Sequence, residues 1–421
     1  MHVTVLGLWH LGSVTAACLA HHHRVTGVDF DATVIAGLRA GRAPLHEPGL
    51  DALLTAGLAS GQLDFAAEAE AVTATDVLWV CFDTPVDDDD RSDLDWVHQR
   101  LARVLPLLRP ATIVLISSQL PVGTCAQLAK AHPLLHFACS PENLRLGKAI
   151  EAFAQPARII VGTSSAQVRA TLEKMLSPIG APLVWLRTES AEMVKHALNS
   201  FLALSVAYIN EIAALAETVG ADAQEVAAGL KSDPRIGQRA YLGPGGPFAG
   251  GTLARDVVTL TQLGQTQNLP LALIPAIKES NDRHRGWAFR KIQGALKGIP
   301  QPVVAVLGLA YTPNTSTLRR SAAVELCRQL LAANIQVQAF DPLIRTTDTA
   351  HADLPLSASA AAALRGAHAV VICTEWPEFR DYPWPALLAG MARPLVIDAN
   401  RLIEKAVAPI PGASYLTVGR P

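Results

Sequence analysis

The 421-residue sequence predicts an α/β protein with two Rossmann-like, doubly wound parallel-sheet domains joined by a central domain built on a long helix. Over roughly residues 1–185, short β-branched runs bounded by Pro, Gly or Ser alternate with helical stretches, which is typical of a parallel sheet covered by helices. Residues 190–220 instead place apolar residues at helical spacing for some thirty positions. Beyond residue 300 the opening pattern returns, which indicates a second α/β domain.

The first domain, predicted to span residues 1–185, opens with "HVTVLGL", a strand followed by a glycine-bounded turn and a helix. "HRVTGVDFD" predicts a second strand that ends in an acid. Further strands are predicted in "DVLWVCFDTPV", "TIVLISSQLPVGT", "HFACSPENL" and "ARIIVGT", and "DLDWVHQRLARVLPLL" predicts a helix between two of them.

The central domain is predicted to span residues 186–298 and to be largely helical. Its long helix stops at Gly220, and "AQEVAAGLK" and "LALIPAIKESNDRHRGWAFRKIQGAL" continue the helical pattern around one glycine-rich loop. The third domain is predicted over residues 299–421. There "VVAVLGLAYTPN" echoes "HVTVLGLWHLGS", and "IQVQAFDP" echoes "HRVTGVDF", so we interpret it as a weak repeat of the opening unit.

Composition argues against several classes of partner. With 50% hydrophobic residues, 17% charged residues and a formal net charge of −2, the chain has little attraction to nucleic acid or anionic lipid. We expect no membrane span, because no apolar run approaches the about 18 residues that one needs, and no signal peptide, because no basic segment precedes the first strand. The six cysteines form no CxxC pair, so buried reduced thiols and a cytoplasmic location are expected.

"GLWHLG", residues 7–12, lies where a dinucleotide-binding GxGxxG belongs, and Asp29 closes the second predicted strand at the spacing of a ribose-binding acid. Gly7 would allow the tight turn and Gly12 the close packing of helix on strand. Trp9 replaces the glycine that lets the backbone approach the pyrophosphate. Two interpretations stay open: an NAD site with Trp9 turned aside, or a Rossmann fold whose phosphate pocket is closed. The acid at position 29 favours NAD over NADP.

Two polar runs could suggest a metal site. His21 to His23 lie in a predicted turn without a partnering acid cluster, and Asp87 to Asp90 form an acidic loop. A solvated loop is the simpler interpretation of both, with magnesium at the acidic run as the alternative. We therefore expect no metal site.

A set of short motifs then resembles the UDP-glucose/GDP-mannose dehydrogenase family across nearly the whole chain. The motifs are "SSQLPVGT" (117–124), "SPENLRLGKAI" (140–150), "SAEMVKHALNSFLA" (190–203), "DPRIG" (233–237), "NDRH" (281–284), "LGLAYTPNT" (307–315), "TEWPEF" (374–379) and the terminal "VGR". The resemblance implies a nucleotide-sugar dehydrogenase in which two NAD oxidise a sugar carbinol to a carboxylate. It also implies a homodimer formed through the central domain.

The resemblance assigns roles to particular residues. The expected cofactor-binding residues are Gly7, Trp9, Leu11, Gly12, Asp29, Thr84 and Gln119. The expected substrate-binding residues are Phe248, Gly250, Gly251, Leu144 and Arg319. The expected catalytic residues are Lys195, Asn199, Asp256, Thr252 and Glu142, of which the lysine and the aspartate would hold a water and the developing alkoxide.

The glycine-rich loop "GGPFAGGTLARD", residues 245–256, is similar to the family's active-site loop, whose glycines would cradle the sugar and diphosphate. The family's nucleophilic cysteine falls on Thr252, and a threonine hydroxyl is a poor nucleophile without a dedicated base. The family's residues are also replaced at Gln119, Leu146, Thr312 and in "DTP" (83–85). The losses at Thr252 and Leu146 affect mainly the second oxidation and the hydrolysis.

Three functional hypotheses follow. The first is an NAD-dependent oxidoreductase that removes two electrons from a nucleotide-sugar hydroxyl. The second is a non-catalytic nucleotide-sugar-binding relative, in which Lys195 and Asp256 survive as an ion pair. The third is full oxidation to a uronic acid without a cysteine.

Overall fold

The computed structural model describes residues 1–87, 89–141, 144, 146–248 and 252–421. The chain forms two compact units, Met1–Leu198 and Asn199–Pro421. The three-domain division with boundaries after residues 185 and 298 stays a prediction.

In the part of the first unit that the structure describes, the strands form an eight-stranded sheet. They are β1 His2–Leu6, β2 Arg24–Val28, β3 Leu63–Ala66, β4 Val77–Val80, β5 Ile113–Ile116, β6 His136–Cys139, β7 Ile159–Gly162 and β8 Leu183–Leu186. Their order is β3-β2-β1-β4-β5-β6-β7-β8. The order reverses between β1 and β4, and ligands of doubly wound sheets bind beyond the carboxyl ends of the strands at such a reversal.

The predicted α/β fold is confirmed, but one pair of neighbours departs from the predicted parallel sheet. β6 and β7 are antiparallel and meet only where Cys139 pairs with Gly162. The connection between them contains a helix of only six residues, about 9 Å long.

Helices cover both faces of this sheet. They are α1 His10–Leu19, α2 Ala32–Arg39, α3 Leu50–Ala59, α4 Leu94–Val104, α5 Thr124–Ala131, α6 Ala149–Ala154 and α7 Ala166–Leu176. Along β4, Val77 and Trp79 pack into one core cluster, and Leu78 and Val80 pack into another. Both faces are thus buried, which explains the continuous apolar runs, and each fully buried aliphatic side chain contributes about 1.5–3 kcal/mol.

A 32-residue helix, α8 Thr188–Val219, contains the boundary between the two units. Among the described residues it alone is long and apolar enough to cross a membrane, with a mean hydropathy of 1.4 over a window that is 44% buried. By length and composition, the expectation that no segment approaches a membrane span is therefore wrong. A core helix of a soluble protein passes the same test, and α8 has Ala191, Ala203 and Ala213 in core clusters.

The second unit continues with four more helices and a second sheet. The helices after α8 are α9 Ala223–Ser232, α10 Leu253–Thr266, α11 Leu273–Arg285 and α12 Trp287–Ala295. The strands are β9 Val303–Leu307, β10 Gln336–Phe340, β11 Ala369–Ile372, β12 Leu395–Asp398 and β13 Ser414–Leu416. They pair in parallel in the order β10-β9-β11-β12-β13. The remaining helices are α13 Ala322–Ala332, α14 Ala360–Leu364, α15 Trp384–Ala389 and α16 Glu404–Val407.

The internal repeat extends to the backbone of the two glycine turns. Gly7 and Gly308 have φ values of 89° and 86°, and their N–H groups donate to the carbonyls that end β2 and β10. The acids after those strands differ in their surroundings. Asp341 is fully buried and accepts hydrogen bonds from the backbone N–H groups of the turn and from the indole of Trp376. Further N–H groups at residues 343 and 344 donate to its other oxygen, so this acid is a structural cap.

The Asp341→Ala variant tests this cap. We expect it to lower the free energy of unfolding by about 3–5 kcal/mol, because several buried donors lose their charged acceptor at once. Urea denaturation followed by circular dichroism measures the change. Asp381→Ala removes an exposed acid from the same unit and should change stability by less than about 0.5 kcal/mol. Equal stability of the two variants would contradict the assignment.

Candidate functional site

The turn between β1 and α1 is built on two glycines in very close contact. A Cβ on Gly12 would lie 1.6 Å from the carbonyl oxygen of Gly7, and a Cβ on Gly7 would lie 2.4 Å from the ring of Phe82. Trp9 is the N-cap residue of α1 and is 45% exposed. The indole therefore lies at the surface of the turn, where the fingerprint has its middle glycine.

Asp29 follows β2 and faces the same turn. Its Oδ2 accepts a hydrogen bond of 2.7 Å from the N–H of Leu8, and its Oδ1 accepts one of 3.0 Å from the N–H of Asp31. The residue is only half-buried. Each carboxylate oxygen can accept more than one hydrogen bond, so Asp29 keeps acceptor capacity for ribose hydroxyls, unlike Asp341.

The loops after β1, β4 and β5 are joined by hydrogen bonds. Asp83 Oδ2 accepts from the N–H of Leu11 at 3.1 Å, and the Thr84 hydroxyl donates to the carbonyl of Gln119 at 3.1 Å. These contacts bring together Leu11, Thr84 and Gln119, which the sequence assigned to the cofactor. The acid at position 83 was noted only as a departure from the family pattern.

Glu47 is a residue of this region that sequence reasoning missed. It is 4% exposed, and it accepts hydrogen bonds of 2.8 Å from the His10 ring and from the N–H groups of Gly147 and Ala149. It thus fastens the start of α1 to the segment that follows β6. The sequence offered no sign of this, because the partners lie 37 to 102 positions away.

The first turns of α8 face the ends of β5 and β6 in the first unit. Glu192 accepts hydrogen bonds from the N–H groups of Gly123 and Cys125 at 2.6 and 2.9 Å, and His196 lies 3.0 Å from the carbonyl of Leu120. A small pocket here is lined by Lys195, Glu192, Gln119, Cys139 and Ser118, among others. The buried Ser118 hydroxyl finds no hydrogen-bond partner among the described residues.

In the second unit, the structure brings Asn199 of α8 against Asp256 of α10. The Asn199 amide donates to Asp256 Oδ2 at 2.5 Å, and the aspartate is fully buried. Thr252 is the exposed N-cap residue of α10, one turn before Asp256, and its side chain makes no capping hydrogen bond. The first turn of α10 therefore carries both the buried carboxylate of Asp256 and the exposed hydroxyl of Thr252.

Amide side chains from distant segments hold the first part of the glycine-rich loop. The N–H groups of Gly245 and Gly246 donate to the amide oxygens of Asn210 and Asn400, at 3.0 and 2.7 Å. Asn281 both accepts from the N–H of Phe248 and donates to its carbonyl, each at 2.9 Å. Phe248 itself is buried in a helical core cluster.

His284 adds one more contact to this loop. Its Nε2 lies 2.7 Å from the Gly245 carbonyl, and burial lowers the pKa of the imidazole, which favours the neutral ring. The first and last residues of the motif "NDRH" (281–284) thus hold the loop, which the family resemblance alone did not indicate. Asn210 and Asn400 were missed.

Comparison with known proteins identifies this architecture. The UDP-glucose/GDP-mannose dehydrogenase profiles match residues 1–179 (NAD binding domain), 189–283 (central domain) and 305–405 (UDP binding domain). The chain belongs to the UDP-glucose/GDP-mannose dehydrogenase family. It is accordingly an NAD-dependent oxidoreductase acting on CH–OH donors, and its UDP binding domain indicates a nucleotide-sugar substrate.

Individual relatives match over the full length. The chain is 34% identical to a UDP-glucose 6-dehydrogenase of Rhizobium meliloti, with all of both chains covered. It is similar in structure to a UDP-glucose dehydrogenase of Pyrobaculum islandicum, with a TM-score of 0.89, 30% identity and coverage of 100% of this chain and 98% of that one. A UDP-D-ManNAc dehydrogenase of Pyrococcus horikoshii gives a TM-score of 0.87 at 26% identity, covering 100% and 99%.

The residues of the dehydrogenase's first unit fit NAD. Gly7 and Gly12 give the turn its tight backbone, and Asp29 keeps acceptor capacity for a ribose. The start of α1 presents backbone N–H groups, which suit a pyrophosphate. Of the two interpretations of "GLWHLG", the NAD site is therefore the one that holds.

The predicted residues are distributed over both units of this dehydrogenase. Lys195 belongs to the first unit, and Asn199 and Asp256 belong to the second, so the approach of Lys195 to Asp256 stays a prediction. Leu144 packs partly buried against the first core, and Arg319 is exposed in the loop after β9. Glu142, Gly250 and Gly251 lie outside the described residues.

The Glu47→Gln variant tests the fastening of α1 to the segment after β6. We expect a loss of about 2–4 kcal/mol in the free energy of unfolding, because the two N–H donors face a neutral amide in place of a buried carboxylate. Urea denaturation measures it, with the exposed Glu173→Gln on α7 as a control that should leave stability unchanged. Wild-type stability of Glu47→Gln would show that the carboxylate charge is dispensable.

Proposed function

We propose that this dehydrogenase removes two electrons from a nucleotide-sugar hydroxyl and releases the carbonyl product. The observation that carries the proposal is the threonine at position 252, where the family resemblance places the nucleophilic cysteine. Taking an aldehyde on to an acid by the thioester route requires a thiolate that adds to the carbonyl. A threonine hydroxyl does not supply one.

The surroundings of three of the chain's six cysteines support this proposal. Burial raises the pKa of the Cys18 and Cys327 thiols to about 12, and both pack in core clusters beside the sheets. The hydrogen bond to Cys139 and burial raise the pKa of the Cys125 thiol far above its ordinary range. Such thiols stay protonated at neutral pH and are unreactive.

The environment of Thr252 points the same way. The side chain is exposed and makes no capping hydrogen bond, and the buried Asp256 one turn further along α10 is the group that we assign to the proton of the sugar hydroxyl. The His284 ring in the same unit is held on the Gly245 carbonyl. A hydroxyl becomes a useful nucleophile only with a base positioned to take its proton. The first oxidation needs no such nucleophile.

The residues for the first oxidation are retained. NAD supplies the hydride acceptor when it is bound. Asp256, fully buried and oriented by Asn199, would hold a water as proton acceptor, and the Lys195 ammonium would stabilise the alkoxide that forms on the substrate. Fixed charge of this kind lowers a barrier by about 3–4 kcal/mol.

The ratio of NADH formed to nucleotide sugar consumed tests the proposal. We expect one NADH per sugar, and a product two mass units lighter that a hydrazide reagent traps. Lys195→Ala should lower kcat about 100-fold or more, because the alkoxide loses its counter-charge, whereas the exposed Lys174→Ala should match the wild type. Two NADH per sugar with a uronic acid product would overturn the two-electron proposal, and binding without turnover would indicate a binding protein.

We also propose that the enzyme is a homodimer formed through α8. The helix exposes Phe201, Tyr208 and Leu215 at seven-residue intervals, with exposed fractions of 64%, 48% and 62%, and Val219 at 75% continues the row. Residues seven apart lie on one face of a helix, so these side chains form an apolar stripe. A stripe of this kind on a soluble protein is typical of a self-association surface.

The Leu215→Asp variant tests the stripe. We expect it to convert the dimer to a monomer in light scattering coupled to gel filtration, because a buried unpaired carboxylate at an interface costs several kcal/mol. Leu134→Asp, at a residue 69% exposed in the first unit, is the matched control and should leave the dimer intact. Dimers of both variants would place the interface elsewhere.

A further inference from the structure

The carboxylate of Asp83 lies at the N-terminal end of α1. Its Oδ2 accepts a hydrogen bond of 3.1 Å from the N–H of Leu11, the second residue of that helix. First-turn N–H groups have no acceptor within their own helix. In a dinucleotide-binding turn these N–H groups face the pyrophosphate. The carboxylate of Asp83 therefore occupies, at the N–H of Leu11, a hydrogen-bond donor that could otherwise bind a phosphate oxygen.

Hydrogen bonds fix the backbone both before and after Asp83. β1 and β4 are paired through Leu6 and Val80, and the next N–H along, that of Cys81, donates to the Leu6 carbonyl at 2.8 Å. On the other side, the Thr84 hydroxyl is fixed on the Gln119 carbonyl. The two central strands thus carry the backbone of residue 83 to the glycine turn.

Asp83 is exposed, so its side chain is not part of the core, and the tight contacts of the turn are made by Gly7, Gly12 and Phe82. A phosphate brought to the same N–H donor meets the carboxylate at a few ångströms, and like charges at that distance repel each other. The carboxylate and a pyrophosphate therefore compete.

We propose that Asp83 is a built-in competitor of the NAD pyrophosphate, which sets the affinity for the cofactor because NAD must displace it from Leu11. The inference rests on the NAD site of the family and not on the number of electrons transferred. Only the fraction of molecules with the donor vacated binds NAD at full strength, so the apparent affinity falls by that fraction.

Titration calorimetry of the full chain with NAD tests the proposal. Asp83→Asn and Asp83→Gly should bind NAD about tenfold more tightly than the wild type, because the tethered charge is gone. Asp95→Asn removes an exposed acid from α4 in the same unit and should match the wild type. Adenosine, which carries no phosphate, should bind all four proteins equally.

Hydrogen exchange supplies a readout that does not depend on affinity. In the cofactor-free protein, exchange in the peptide containing Leu11 should be faster in Asp83→Gly than in the wild type, because the amide loses its acceptor. Unchanged, weaker or absent NAD binding by both folded Asp83 variants overturns the proposal. Equally tighter binding of adenosine also overturns it, since the competition would not involve the phosphates. The two-electron proposal is judged separately by product stoichiometry.

Discussion

The contact between Gly12 and the carbonyl of Gly7 is the constraint on which the cofactor half of the molecule depends. With no Cβ on Gly12, α1 can start directly against the end of β1. That close start places the first-turn amides of α1 at the edge of the sheet where β4 and β5 also end. Asp29 and Asp83 reach the turn from β2 and β4, the two strands that flank β1, because parallel strands present their following loops at one edge.

In the second unit, neutral amide side chains hold the first part of the glycine-rich loop, residues 245–248. Asn210, Asn281 and Asn400 satisfy backbone groups of the loop from three different segments. An amide oxygen accepts a hydrogen bond from a backbone N–H without adding net charge. The electrostatic potential near the loop is therefore determined by charged groups such as Asp256. Asp256, buried and bonded by the Asn199 amide, is the carboxylate to which the proposed first oxidation assigns the proton.

Sequence patterns predicted what local physics determines. Gly7, Gly12 and Asp29 have spacings that only one kind of turn explains, and the helical run of α8 was recognisable by its period. The strands β3 and β8 were missed; they lie at the two edges of the sheet, and neither has the fully buried run of a central strand such as β4. The antiparallel entry of β7 rests on a single residue pair. Glu47 and Asn400 were missed because the partners of their side chains lie 37 to 154 positions away along the chain.

The two proposals act on different quantities. In the two-electron proposal, the residue at position 252 decides whether a covalent adduct can form, and so affects the number of electrons removed from the substrate. In the competition proposal, the carboxylate at position 83 occupies an amide of the cofactor turn, and so affects how much free energy NAD binding releases. Position 252 concerns whether a covalent bond to the substrate can form, whereas position 83 concerns the charge near the cofactor. A change at one of these positions therefore does not compensate for the change at the other. A dehydrogenase carrying both would combine a shortened reaction with a cofactor held less tightly than its glycine turn alone would allow.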